Sequence, residues 1–171
     1  MNHRWLVRTA TVLAAFFIAG CALKARTSDI DTAVSPAWHG RLIMQVQAHP
    51  DEPLSQPRSF GAAFELLGTP DLGELNFFTP LGNTAATIRW TPRIATLDAQ
   101  GETKTFESLS HLIGHLLGTN VPVSALFAWL MGRDLHADGW EVDLRQFTQG
   151  KIVAERLAPL PKAQLRVILE P

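Results

Sequence analysis

A single cysteine, no basic run longer than two residues and no second long apolar segment bound this 171-residue chain before any motif is read. With Cys21 alone, no disulfide can form within the chain, and its thiol is left for other chemistry. Without basic clusters, neither nucleic acid nor an anionic membrane surface is a charge-driven partner. Beyond the N-terminus no stretch approaches the roughly 20 apolar residues that a membrane-spanning helix needs. Enzyme signatures are missing as well. There is no Gly-x-Ser-x-Gly elbow, no Gly-x-x-x-x-Gly-Lys-Ser/Thr loop, no His-Glu-x-x-His and no spare thiol nucleophile, so no catalysis and no cofactor are expected.

What is present begins at the N-terminus. Arg4 and Arg8 give a positive start, Thr9 to Ile18 an apolar run too short to span a bilayer, and Ala19-Gly20 two small residues before Cys21. Residues 1–20 therefore read as a secretion signal. The pattern Ile18-Ala19-Gly20-Cys21 resembles the lipobox of bacterial lipoproteins. That resemblance implies a diacylglyceryl thioether on Cys21, cleavage before it and acylation of the new amine. Ala22 stands where enteric-type lipoproteins kept at the inner membrane carry aspartate, which favours the outer membrane. Several acyl chains, at about 0.8 kcal/mol per buried CH₂, anchor far more firmly than one.

Removing the signal leaves 151 residues, with 13 basic against 16 acidic and a formal net charge of −3. That length suffices for one domain with a real core. Residues 21–37, rich in small and polar types such as Ser28, Asp29, Asp31 and Ser35, read as a flexible tether. The domain is expected over 38–171. Apolar and polar residues alternate over 42–47, 59–67, 72–78, 84–91 and 94–98, with turn residues between, which predicts five short strands in a meander. The period then changes. Phe106, Leu109, Leu112, Ile113, Leu116 and Leu117 fall on one helical face, with Thr105 as candidate cap and Gly118 as stop. A second short helix is expected from Pro122 or Ser124 to Met131. Strand patterning returns over 140–147, 152–157 and 165–170. An antiparallel sheet with a helical pair over one face or mouth satisfies that order.

The order and its local motifs resemble the LolB family, the outer-membrane receptors of the bacterial lipoprotein-localisation pathway. The matching pieces are the lipobox, Trp38-His39-Gly40-Arg41-Leu42, and the strand-turn Phe77-Phe78-Thr79-Pro80-Leu81-Gly82-Asn83-Thr84. Further on come Leu109-Ile113-Leu116-Leu117-Gly118 and the run Val121 to Gly132, with Pro-Val-Ser-Ala-Leu then Trp-Leu. The resemblance implies a mainly β fold, an unclosed antiparallel β-barrel covered by two or more short helices. It implies a hydrophobic cavity that receives the acyl chains of client lipoproteins from a LolA-type periplasmic carrier and releases them into the outer membrane. Location at the periplasmic face through the lipid on Cys21, and a monomeric state, go with it. Relatives are expected to carry a further hairpin before the Trp140 strand, where only Arg133 to Gly139 lies, so a smaller sheet is expected here, with either a more open cavity or a divergent ligand range.

Leu81 occupies a Pro-Leu-Gly-Asn turn where a polar residue is usual. From the residues alone, a leucine folded back onto the core is the plainer reading; the resemblance implies that it projects and takes part in delivery to the membrane. Leu109, Leu112, Ile113, Leu116, Leu126, Trp129 and Leu130 are candidates for the cavity ceiling, although periodicity by itself describes ordinary core. Phe64, Phe77 and Trp90 stand among the floor candidates, with Met44, Val46, Leu66, Leu75 and Ile88. Arg41 is either a solvated strand arginine or a contact to the lid or a lipid head group. His111 and His115 form an i, i+4 pair without a third ligand at motif spacing, so no metal is expected. The rival function is a structural or assembly lipoprotein, an adaptor that binds protein and encloses no lipid.

Overall fold

The computed structural model describes residues 36–118 and 120–171. The signal over 1–20, Cys21 and all but the last two residues of the expected tether lie outside the described residues. The described residues form a single antiparallel sheet of nine strands in the order β6-β5-β4-β3-β2-β1-β9-β8-β7. Its strands are β1 (Ala37–Val46), β2 (Arg58–Gly68), β3 (Gly73–Phe78), β4 (Thr84–Thr91), β5 (Ile94–Ala99), β6 (Glu102–Phe106), β7 (Trp140–Asp143), β8 (Lys151–Arg156) and β9 (Ala163–Leu169). β9 returns to pair with β1, so the sheet curls, but β6 and β7 remain unpaired edges. It is an unclosed barrel. Helices α1 (Leu109–Leu117) and α2 (Val123–Leu130) close over its inner face.

Alternation along the strands sorts the two faces. Trp38, Leu42, Met44 and Val46 of β1, Phe64 and Leu66 of β2, and Ile88 and Trp90 of β4 all join the inner core. Gly73 is small for a reason: a Cβ there would run into the ring of Trp90. That ring crosses the strand to donate from Nε1 to the carbonyl of Thr69 at 3.0 Å. The outer face of β3 to β6 is instead polar and cross-linked. Arg89 donates from Nε to Glu74 at 2.7 Å and from Nη1 to Asp98 at 2.6 Å. Asn76 links Glu74 to Thr87, and Thr103 donates to Asp98. The network thus stitches four strands on the face that the apolar core cannot hold.

Several boundaries differ from the sequence reading, beginning with β1, which starts at Ala37 rather than near Leu42. β6 is a sixth meander strand over residues expected to lie in a loop and helix start; Thr105 and Phe106 belong to it. Ser108, not Thr105, caps α1, accepting from the backbone N–H of His111 at 3.1 Å. The strand expected over 140–147 ends at Asp143, and a 3-10 turn, Phe147–Gln149, leads into β8. At that turn Arg145 chelates Asp143, donating from its side chain and then its backbone N–H, and holds the carboxyl at about 2, well below its ordinary value. Because the folded value is depressed, this pair contributes above the ordinary carboxylate range and is lost as pH falls towards 2. An NMR titration is expected to place the Asp143 midpoint near 2 and to return it towards the ordinary range in Arg145→Ala.

Candidate functional site

The two helices do not fill the barrel. Between them and the sheet lies a cavity of about 490 Å³ whose wall is almost wholly apolar. Its room comes from small residues. Ala62 of β2, Ala86 of β4 and Ala99 of β5 all line it, where larger side chains on the same face close the rest of the interior. Leu42, Met44, Leu75, Phe77, Ile88, Leu97 and Leu165 line it from the sheet as well. Ile113, Leu116 and Leu117 of α1 and Leu126 of α2 form the ceiling. The cavity runs to the end of the sheet carrying the β3–β4 turn, where Phe60, Phe78 and Pro80 edge the opening and Leu116 stays partly exposed.

Leu81 is at that edge. The turn is fixed by Thr79, whose backbone N–H donates to Asn83 O at 2.8 Å and whose carbonyl accepts from Gly82 N–H at 2.9 Å. Gly82 takes a φ of 82°, a conformation costly for any residue with a side chain. The leucine does not fold back onto the core: it is 89% exposed.

The other expected positions separate into two groups. Phe77, Ile113, Leu116 and Leu126 line the cavity. Leu109, Leu112, Trp129, Leu130, Phe64 and Trp90 do not; they belong to the packed core beyond it. There Phe127 stands edge-on to Trp38 and Trp90, with ring centroids 5.6 and 6.3 Å away. Trp129 packs on Trp140 and donates to Leu135 O, while Trp38 donates to Leu130 O at 3.1 Å. Arg41 is exposed on the opposite strand face from Leu42 and Met44, so it points away from the cavity and the lid. His111 and His115 both flank Phe106, and no cluster of three metal-ligating side chains occurs among the described residues. Among the described residues no helix is long and apolar enough to cross a membrane.

The family of the outer membrane lipoprotein LolB matches residues 53–155. The outer-membrane lipoprotein LolB of Halorhodospira halophila is 31% identical over 149 residues, covering 84% of this chain and 71% of that protein. The chain belongs to the LolB family. A second LolB, from Dechloromonas aromatica, is 28% identical over 156 residues and covers 80% of each chain. LolB membership, an open barrel and an apolar interior are thus three separate observations that agree. What the sequence reading missed in this LolB chain is the set of alanines at 62, 86 and 99. Part of their signal was available: Ala62 and Ala86 fall on inward positions of strands whose neighbouring inward residues, Phe64 and Leu66 or Ile88 and Trp90, are large.

Proposed function

We propose that this outer-membrane lipoprotein accepts lipidated proteins from a soluble LolA-type carrier in the periplasm, shelters their acyl chains in the cavity and passes them to the outer membrane. The observation that carries this reading is the apolar cavity opening beside a projecting leucine. Acyl chains of a lipoprotein hold dozens of CH₂ groups, and exposing them to water would cost tens of kcal/mol at about 0.8 each. Passage between membranes therefore needs an apolar container throughout. Handover requires only that the second container bind somewhat better, and release follows because the bilayer is a better apolar phase still. No covalent step is required. Cys21 supplies the anchor when acylated, and the domain acts as a monomer.

The test is a transfer assay. The chain carrying Cys21→Ala is mixed with carrier loaded with a lipoprotein, and the two are separated by an affinity tag. The client is expected to move to this protein. If it stays on a carrier proven competent with another acceptor, the adaptor reading takes over. Leu81→Glu is expected to keep the fold and the acceptance step while delivery to vesicles fails, because a charged turn tip is expelled from the apolar phase. Loss of acceptance as well would remove Leu81 from the delivery step.

A further inference from the structure

Three loops gather at the end of the sheet where the cavity opens. Val46, at the end of β1, pairs with Arg58 of β2 and with Ala163 of β9, so the connections 47–57 and 157–162 leave the same end, as does the β3–β4 turn. Each carries leucine outward. Leu54 is 95% exposed, Leu81 89%, and Leu160 is partly exposed. Single exposed leucines are ordinary on protein surfaces. These differ in being held out by organised loops at the one end of the sheet towards which the cavity opens.

The first loop is cross-bonded. His49 N–H donates to Ser55 Oγ at 2.8 Å, and Ser55 N–H donates to Glu52 O at 2.9 Å, closing a turn with Leu54 at its outer side. The last loop is held from inside. Arg156 is buried at the end of β8, where burial pulls its pKa down, and it donates from Nε and Nη2 to the carbonyl of Pro161 at 3.2 and 2.6 Å. Gln47 N–H donates to Lys162 O at 2.8 Å and ties the two loops together.

We propose that this rim seats the cavity mouth on a lipid bilayer at three points, with Leu54 and Leu160 as membrane contacts beside Leu81. The inference rests on the receptor reading above and extends it from one turn to the whole rim. A bilayer suits three separated apolar tips because it accepts each without a matching pocket. The rim's charges are mixed, with Asp51 and Glu52 against Arg58 and Lys162, which fits a zwitterionic surface better than an anionic one. The chain outside the structure allows it. Ala37 starts β1 at the opposite end from the rim, and ten strand residues span about 33 Å. The 15 residues 22–36 reach up to about 50 Å, so an acylated Cys21 and the rim can touch the same bilayer.

The test uses the chain carrying Cys21→Ala, in which Leu54→Cys, Leu160→Cys, Leu81→Cys or Leu72→Cys provides the only thiol for an environment-sensitive fluorophore. On adding phosphatidylcholine vesicles, labels at 54, 160 and 81 are expected to shift to the blue and become shielded from an aqueous quencher. The label at 72, on the opposite end, stays wet. Leu54→Ser is expected to weaken vesicle partitioning about fivefold with an unchanged melting curve. A label at 81 that enters while 54 and 160 stay wet overturns the three-point rim and leaves the receptor reading standing. If no label enters, the rim does not meet lipid, and the transfer assay judges the receptor reading separately. If Leu54→Ser slows uptake from the carrier but leaves partitioning unchanged, this face meets protein and the inference falls.

Discussion

Ala86→Phe is expected to weaken binding of a single-chain fluorescent fatty acid about a hundredfold while the domain stays folded. Ala86 faces the cavity from β4, between Phe77 and Ala99 of the neighbouring strands. A phenyl ring there occupies the space of roughly four methylenes, and excluding those from the cavity forfeits about 3 kcal/mol of transfer energy. The measurement is a titration of probe fluorescence beside a urea melt. The two readouts together discriminate. In a packed interior the same change would overpack and destabilise by about 1–3 kcal/mol. An Ala86→Phe protein that loses stability and keeps probe binding would show that the acyl site lies elsewhere.

Trp129→Ala is expected to cost about 3–5 kcal/mol of stability. The side chain is 1% exposed, packs on Trp140 at a ring distance of 6.2 Å and donates from Nε1 to Leu135 O at 3.0 Å. Removing it opens a void, orphans a carbonyl and loosens α2 from β7 in one step. Chemical denaturation checks the size of the loss. Trp129→Phe, which keeps most of the apolar volume and gives up the hydrogen bond, is expected to cost clearly less. Equal costs for the two would place the contribution in the hydrogen bond rather than the packing.

The strands of the meander were legible because each alternates and each is bounded by turn residues, as with Thr84–Thr91 between Asn83 and Pro92. β6 was not, since Glu102, Thr103, Lys104 and Thr105 present no apolar alternation: an edge strand exposed on both faces has no core to mark it. Charged and polar residues there also keep the edge from pairing with another chain. For the cavity, alternation left open which face looks inward, because Leu42 and Ile43 are adjacent and both apolar, and it did not tell how deep along the strand a residue sits. Phe64 and Phe77 are paired across β2 and β3, yet only Phe77 reaches the cavity. Trp90 and Ile88 share a face, and only Ile88 does. Helical periodicity failed in the same way for Leu112 and Trp129, which lie on apolar faces but press into solid packing. A hollow is built from what is small, and large apolar residues draw the eye first.

The gap between β6 and β7 has a mechanical meaning. In a closed barrel, strand number and shear fix the girth, so the lumen cannot grow without breaking ladder hydrogen bonds. A sheet with two free edges carries no such hoop. Its nine described strands are joined by eight ladders, and none joins β6 to β7. The girth is then left to packing across the interior, where α1 and α2 sit, rather than to a ring of hydrogen bonds.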